Sequence, residues 1–209
     1  MAKTRIIKVL DTLKKDYPEA GTMLKYNTQF ELLVAIVLSA QSTDEQVNKV
    51  TSDLFTQYSE AQDFAALDLA TLEELIKGVG IYRNKAKNIK ALAEVIIEKY
   101  DGKIPDTLEE LIELPGVGRK TANVFLAVGL DKPGLGVDTH VQRVANRIGL
   151  VATKNPTQTE LSLKKEIPHT RWGEAHHLLI FHGRRICKAR KPNCQTCSIA
   201  KLCDKKLED

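Results

Sequence analysis

Apolar residues recur at helical spacing along almost the whole chain, and that constrains the fold more than any other feature. Ile6, Val9, Leu10 and Leu13 follow the i, i+3, i+4, i+7 pattern of one buried helix face. Val47, Val50, Leu54 and Phe55 do much the same behind Ser42-Thr43-Asp44, a run suited to capping a helix start. Ile89, Leu92, Ala93, Ile96 and Ile97 form a third stripe, and Val137, Val141, Val144 and Ile148 a fourth around and after Asp138. No pair of alternating segments is joined by a hairpin turn signal. The expectation is an all-α protein. Its 209 residues, 43% apolar and 28% charged, suffice for one or two packed domains and exclude a disordered chain or a small disulfide scaffold.

Several classes fall away quickly. The longest apolar run, Leu32 to Leu38, is far below the roughly 20 residues of a membrane span. Lys8 interrupts the apolar start, so no signal-peptide core is present and a cytoplasmic location is expected. Disulfides are then disfavoured, and the four Cys need another role. The net charge of +4 hides an asymmetry. Residues 1–15 hold five Lys/Arg against one Asp, and residues 184–206 hold eight against one, while the middle is acidic. Such blocks are either solvated tails or nucleic-acid patches.

One segment is echoed. Thr71-Leu-Glu-Glu-Leu-Ile76 recurs as Thr107-Leu-Glu-Glu-Leu-Ile112. Each copy reads as a capping box, with Thr as cap and Glu three residues on. Each leads to Gly-Val-Gly, at 78–80 and 116–118, and then to a Lys and an Asn three apart, Lys85 and Asn88 or Lys120 and Asn123, though at different offsets from the glycines. The second copy inserts Leu114-Pro115 before its glycines. Leu-Pro-Gly-Val-Gly makes a tight turn, with Gly116, Val117 and Gly118 as candidate phosphate-contacting residues, and the helix behind it opens with free N–H groups aimed at the turn. A helix start of this kind binds anions, phosphate above all. A plain αα-hairpin is the equally weighted alternative.

Lys120 falls in the first turn of that second helix. There an expected partial desolvation and the positive helix end suit an amine nucleophile. Asp138 precedes the fourth stripe and would at least cap it. The helix from 119 to 130 travels about 18 Å, and the loop 131–137 spans at most about 23 Å, so a return of Asp138 to the lysine is geometrically open. Cys187, Cys194, Cys197 and Cys203 are separated by six, two and five residues. Four thiols so close can hold zinc or a [4Fe–4S] cluster, and spacing alone does not choose. The five His residues show no ligand pairing.

Leu114-Pro-Gly-Val-Gly-Arg-Lys-Thr-Ala-Asn123, followed by Val137-Asp-Thr-His-Val-Gln-Arg143, resembles the hairpin and Gly/Pro-rich loop with aspartate of the helix-hairpin-helix DNA glycosylase superfamily. Leu38-Ser-Ala-Gln-Ser-Thr-Asp44 and the cysteine tail make it most similar to the bifunctional iron–sulfur members, along essentially the whole chain. The resemblance implies a six-helix domain at 22–133, with the helix-hairpin-helix at about 107–130. It implies an iron–sulfur domain from residues 1–21 and 134–209, with the cluster loop at 187–203 and the active-site cleft between the domains. It favours [4Fe–4S] over zinc. It makes Lys120 the nucleophile of a glycosylase that also cleaves the strand through a Schiff base, and Asp138 its base and electrostatic partner. Gln41 and Ile81 become the residues inserted into DNA once a base is flipped out. Arg184, Lys188, Arg190 and Lys191 would then form a phosphate-binding loop pinned by the cluster. The implied partner is double-stranded DNA carrying damaged pyrimidines or abasic sites, bound by a monomer without a membrane. The alternatives are a relative preferring pyrimidine dimers or mismatches, and a non-catalytic DNA-binding iron–sulfur damage sensor.

Overall fold

The computed structural model describes residues 2–207, and among these the regular structure is helical throughout. Glu208 and Asp209, which end the chain in acid, lie outside the described residues. The chain divides into two compact units, one of residues 23–132 and one joining the N-terminal segment through Thr22 to Pro133 and beyond.

The central unit is organised by helix α2 (Gln29–Leu38), whose residues Phe30 to Leu38 are all buried. A helix apolar on every side must be surrounded. Packed on it are α3 (Asp44–Gln57), α6 (Tyr82–Tyr100) and α8 (Arg119–Gly129). The short α4 (Ala61–Ala66) and α5 (Leu69–Leu75) lie along α6, and α7 (Leu108–Leu111) leads into α8. Phe30 and Phe64 meet at a tilt of 56° with ring centres 5.3 Å apart inside this core. Full burial of such a side chain contributes about 1.5–3 kcal/mol.

The capping-box expectation holds by half for one copy of the echo, where Glu110 accepts from the Thr107 hydroxyl at 2.7 Å and not from the cap's backbone N–H, and needs correcting for the other. Thr107 caps α7, accepting from the Glu110 amide at 3.3 Å. Thr71 does not cap: α5 starts earlier, with Asp68 as its cap accepting from the Thr71 amide at 3.0 Å. A carboxylate at a helix start gains from the dipole as well as the hydrogen bond, so Asp68 outcompetes the hydroxyl three residues on. Thr43 caps α3 as expected, accepting from the Gln46 amide at 3.2 Å.

The second unit packs α1 (Ala2–Asp16) against α11 (Trp172–Arg185), with α9 (Thr139–Ile148) and α10 (Pro156–Glu166) completing it. Its core contains the first and fourth sequence stripes, Ile6, Val9, Leu10 and Leu13 with Val137, Val141, Val144 and Ile148. Polar ties fasten the distant termini. Arg5 donates to the carbonyls of Ile148 and Leu202 and to Asp204, while Arg171 pairs with both Asp11 and Glu174. Among the described residues no helix is long and apolar enough to cross a membrane.

Candidate functional site

The hairpin turn is built by its glycines. Gly116 sits at φ +78°, where a side chain is strained, and a Cβ there would lie 2.8 Å from Cβ of Asn88 on α6. Val117 and Leu114 point into the core, and the Val117 amide donates to the Leu114 carbonyl at 3.0 Å. Gly118 then opens α8 without a side-chain cap, and a Cβ on it would meet nothing within 4 Å. The turn is therefore closed toward the protein at Gly116 and open at Gly118. An uncapped, sterically open helix start offers its first N–H groups to an incoming anion.

Lys120 stands in the first turn of α8 and is exposed, which corrects the expectation of partial desolvation. The apolar stripe of α8 lies on Ala122, Val124, Phe125 and Leu126 and leaves the lysine outside. Asp138, in the other unit, is half-buried. It caps α9, its Oδ1 accepting from the Val141 amide at 2.9 Å.

Gln41 and Ile81 come together within the central unit. Both adopt left-handed backbone, at φ +55° and +49°, and Ile81 is 53% exposed. Their turns touch: a Cβ on Gly80 would lie 2.9 Å from the Gln41 carbonyl oxygen, and the Gly80 amide donates to Ser42 Oγ at 3.0 Å. Left-handed backbone at a β-branched residue is an outlier that surrounding structure must enforce.

The four cysteines line a single small pocket with Ile148, Ile186, Pro192 and Ile199. All four are half-buried free thiols. Burial pushes the Cys187 and Cys197 thiols up, opposed at Cys187 by Arg147. Among the described residues no three His, Cys, Asp or Glu side chains are arranged to hold one metal ion. A ring of thiols around a common cavity suits a larger body bound by four thiolates.

Two arginines without a role in the sequence reading support this loop. Arg143 donates to the Cys187 carbonyl at 3.1 Å and to Gly183 O at 3.0 Å. Arg147 donates to Lys188 O at 2.7 Å and Ala189 O at 3.0 Å. Both lie one helical turn apart on α9, a spacing that could have flagged them as a pair facing one target. They leave Lys188, Arg190 and Lys191 exposed on the loop, with Arg184 exposed just before it. Arg185 is different: it pairs with Glu19 at 2.7 Å and lies over the rings of Phe181 and Tyr17. His182 is buried, and desolvation lowers its pKa to about 4.

Residues 34–169 match the HhH-GPD superfamily of base excision DNA repair proteins, and residues 187–203 match the iron–sulfur binding domain of endonuclease III. The chain is 46% identical to endonuclease III of Bacillus subtilis, over 93% of this chain and 89% of that one. It is 40% identical to that of Escherichia coli, over 99% and 98% respectively. A solved trapped endonuclease III–DNA covalent intermediate, 45% identical, superimposes with a TM-score of 0.92 over 98% of this chain and 97% of its own. A non-covalent endonuclease III–DNA complex, 44% identical, gives 0.91 over 98% and 96%. The chain thus belongs to the endonuclease III family within the HhH-GPD superfamily. It is a DNA glycosylase of base-excision repair whose partner is DNA and whose cofactor is a [4Fe–4S] cluster. Cys187, Cys194, Cys197 and Cys203 line one pocket and are the residues that would hold that cluster.

Proposed function

We propose that this glycosylase excises damaged pyrimidines and then cleaves the strand, with Lys120 as nucleophile. The observation that carries the reading is the placement of Lys120: an exposed amine in the first turn behind the open hairpin start. The similar covalently trapped endonuclease III–DNA intermediate supports an enzyme group that bonds to DNA.

The hairpin N–H groups and the basic loop hold backbone phosphates while the damaged nucleotide leaves the stack. The Lys120 amine forms a bond to C1′ as the glycosidic C1′–N bond breaks, and the base departs with that electron pair and a proton. Loss of the amine proton and ring opening give a Schiff base. Removal of a proton from C2′ then expels the 3′ phosphate by β-elimination, and water releases the lysine. Asp138 serves as the base in these transfers and offsets the positive charge that grows on the sugar. Its cap bond to Val141 fixes where the carboxylate points.

The echoed lysine is excluded from this role. Lys85 is 3% exposed and commits its ammonium to Leu38 O at 2.8 Å and Ser42 Oγ at 3.2 Å. Borohydride should trap a covalent adduct between the protein, acting as a monomer, and duplexes bearing oxidised pyrimidines. Lys120→Gln should abolish trapping and Lys85→Gln should not; equal trapping in Lys120→Gln would remove the assignment. Binding without trapping on any lesion would favour the damage-sensor reading.

A further inference from the structure

Lys85 raises a question that its hydrogen bonds answer only in part. A buried ammonium is costly, and here its hydrogen-bond partners are neutral oxygens with no carboxylate among them. Desolvation accordingly lowers its pKa. Leu38 is the last residue of α2, so the ammonium lies at the buried, negative end of that helix, which offsets part of that cost. A backbone amide or a glycine could cap that helix end at lower cost. The second partner is the informative one.

Ser42 Oγ accepts from both Lys85 Nζ and the Gly80 amide. It therefore joins three things: the end of α2, the turn of Gln41 and the turn of Ile81. Gln46 adds a parallel tie, its Nε2 donating to Gly78 O at 2.9 Å. Gly80 allows the approach, since a Cβ there would press on the Gln41 carbonyl oxygen. The two residues flanking this knot, Gln41 and Ile81, are the strained ones. Strain of this kind persists only where neighbouring contacts over-determine it, and here the contacts converge on one hydroxyl.

We propose that Lys85 and Ser42 are positioning residues that lock the Gln41 and Ile81 turns into one rigid two-pronged wedge, so that both prongs enter the DNA stack together when a nucleotide is extruded. The inference rests on the reading of Gln41 and Ile81 as the inserting residues. A pre-set wedge pays its ordering entropy on folding and not on DNA binding. Two independently mobile turns would each have to be ordered in the complex. The lock acts on extrusion and has no part in the bond changes at C1′.

The test separates extrusion from chemistry in the full-length holoprotein. Single-turnover cleavage is measured on a duplex with an oxidised pyrimidine. Borohydride trapping is measured on a single-stranded abasic oligonucleotide, which needs no extrusion. Unstacking is followed by 2-aminopurine fluorescence opposite the lesion. Ser42→Ala and Lys85→Met should each slow duplex cleavage at least tenfold and suppress the fluorescence rise. Both should leave single-strand trapping within twofold of the parent, and Ser42→Thr, which keeps the acceptor oxygen, should restore duplex cleavage. Equal losses on both substrates, or no loss on the duplex, overturn the lock. If Lys85→Met does not fold, the half-buried Ser42 pair decides alone. Ile81→Ala is the control on the underlying reading. Full fluorescence in Ile81→Ala discards the wedge itself, whereas loss there with none in Ser42→Ala discards only the lock.

Discussion

Gly116 and Gly118 are two residues apart in one turn, yet alanine should act on them in opposite ways. At Gly116 the left-handed backbone costs a side chain about 1–2 kcal/mol. The new Cβ also meets Asn88 Cβ at 2.8 Å, an atom fixed to the middle of α6 that cannot swing aside. Overpacking of that kind costs about 1–3 kcal/mol. Together they predict a loss of about 2–5 kcal/mol, a large share of the 5–15 kcal/mol that typically holds a protein folded. At Gly118 the backbone is extended and the new Cβ meets nothing. Only the poorer helix cap counts there, at most about 1 kcal/mol.

Function should rank the pair the other way. The open side of Gly118 is where a phosphate would approach the α8 amides, and a methyl group there blocks it. Losing one hydrogen bond to a charged oxygen costs about 1.5 kcal/mol, or roughly tenfold in affinity. Urea unfolding and fluorescence anisotropy on an abasic-analogue duplex measure the two effects. Asn88→Gly offers a check on the steric half, because it removes the clashing atom. The double variant with Gly116→Ala should recover about 1–3 kcal/mol relative to additivity. If Gly118→Ala destabilises as much as Gly116→Ala, or binds DNA as tightly as the parent, the open-start argument fails. Strict additivity with Asn88→Gly would refute the clash.

Other consequences follow from single sites. Ile81→Gly should relieve left-handed strain at an exposed position and leave stability unchanged or raised by about 1 kcal/mol, while duplex excision falls; a marked destabilisation would refute the strain argument. Desolvation pushes the Glu174 carboxyl up, but its bonds to Lys14 and Arg171 outweigh that and hold it below the usual range. A lowered carboxylate stabilises the fold above its ordinary pKa and ceases to as pH falls through the folded value. Glu174→Gln should therefore cost about 1 kcal/mol near pH 7 and progressively less toward pH 3 in urea unfolding; a cost independent of pH would contradict the pairing. Joint alanine substitution of Lys188, Arg190 and Lys191 should weaken DNA binding and flatten its salt dependence by about 0.9 in log–log slope for each phosphate no longer neutralised, and an unchanged slope would remove the loop from the interface.

How much of this was legible in the sequence depends on how far each feature reaches. Helix stripes are local, and the faces marked by Ile6 to Leu13 and by Val141 to Ile148 are the buried ones. The four thiols lie within one short loop, so their convergence was also readable. Arg143 and Arg147 grip carbonyls about 40 residues downstream, and no local pattern states their target. The same holds for Lys85, whose partners lie 43 and 47 residues upstream. The echo shows the same limit at closer range. Both copies run Gly-Val-Gly, then Lys, then Asn three later, but the unequal offsets visible in the sequence do not by themselves say where each lysine points. Their offsets from the glycines differ by three residues, and their helices start at Tyr82 and Arg119. Lys85 is thereby the fourth helical residue and Lys120 the second, a two-residue shift that rotates the side chain about 200° around the axis. One lysine is turned onto the end of α2 and the other outward to solvent. The offset that makes the repeat imperfect is what divides a structural ammonium from an exposed amine placed for chemistry.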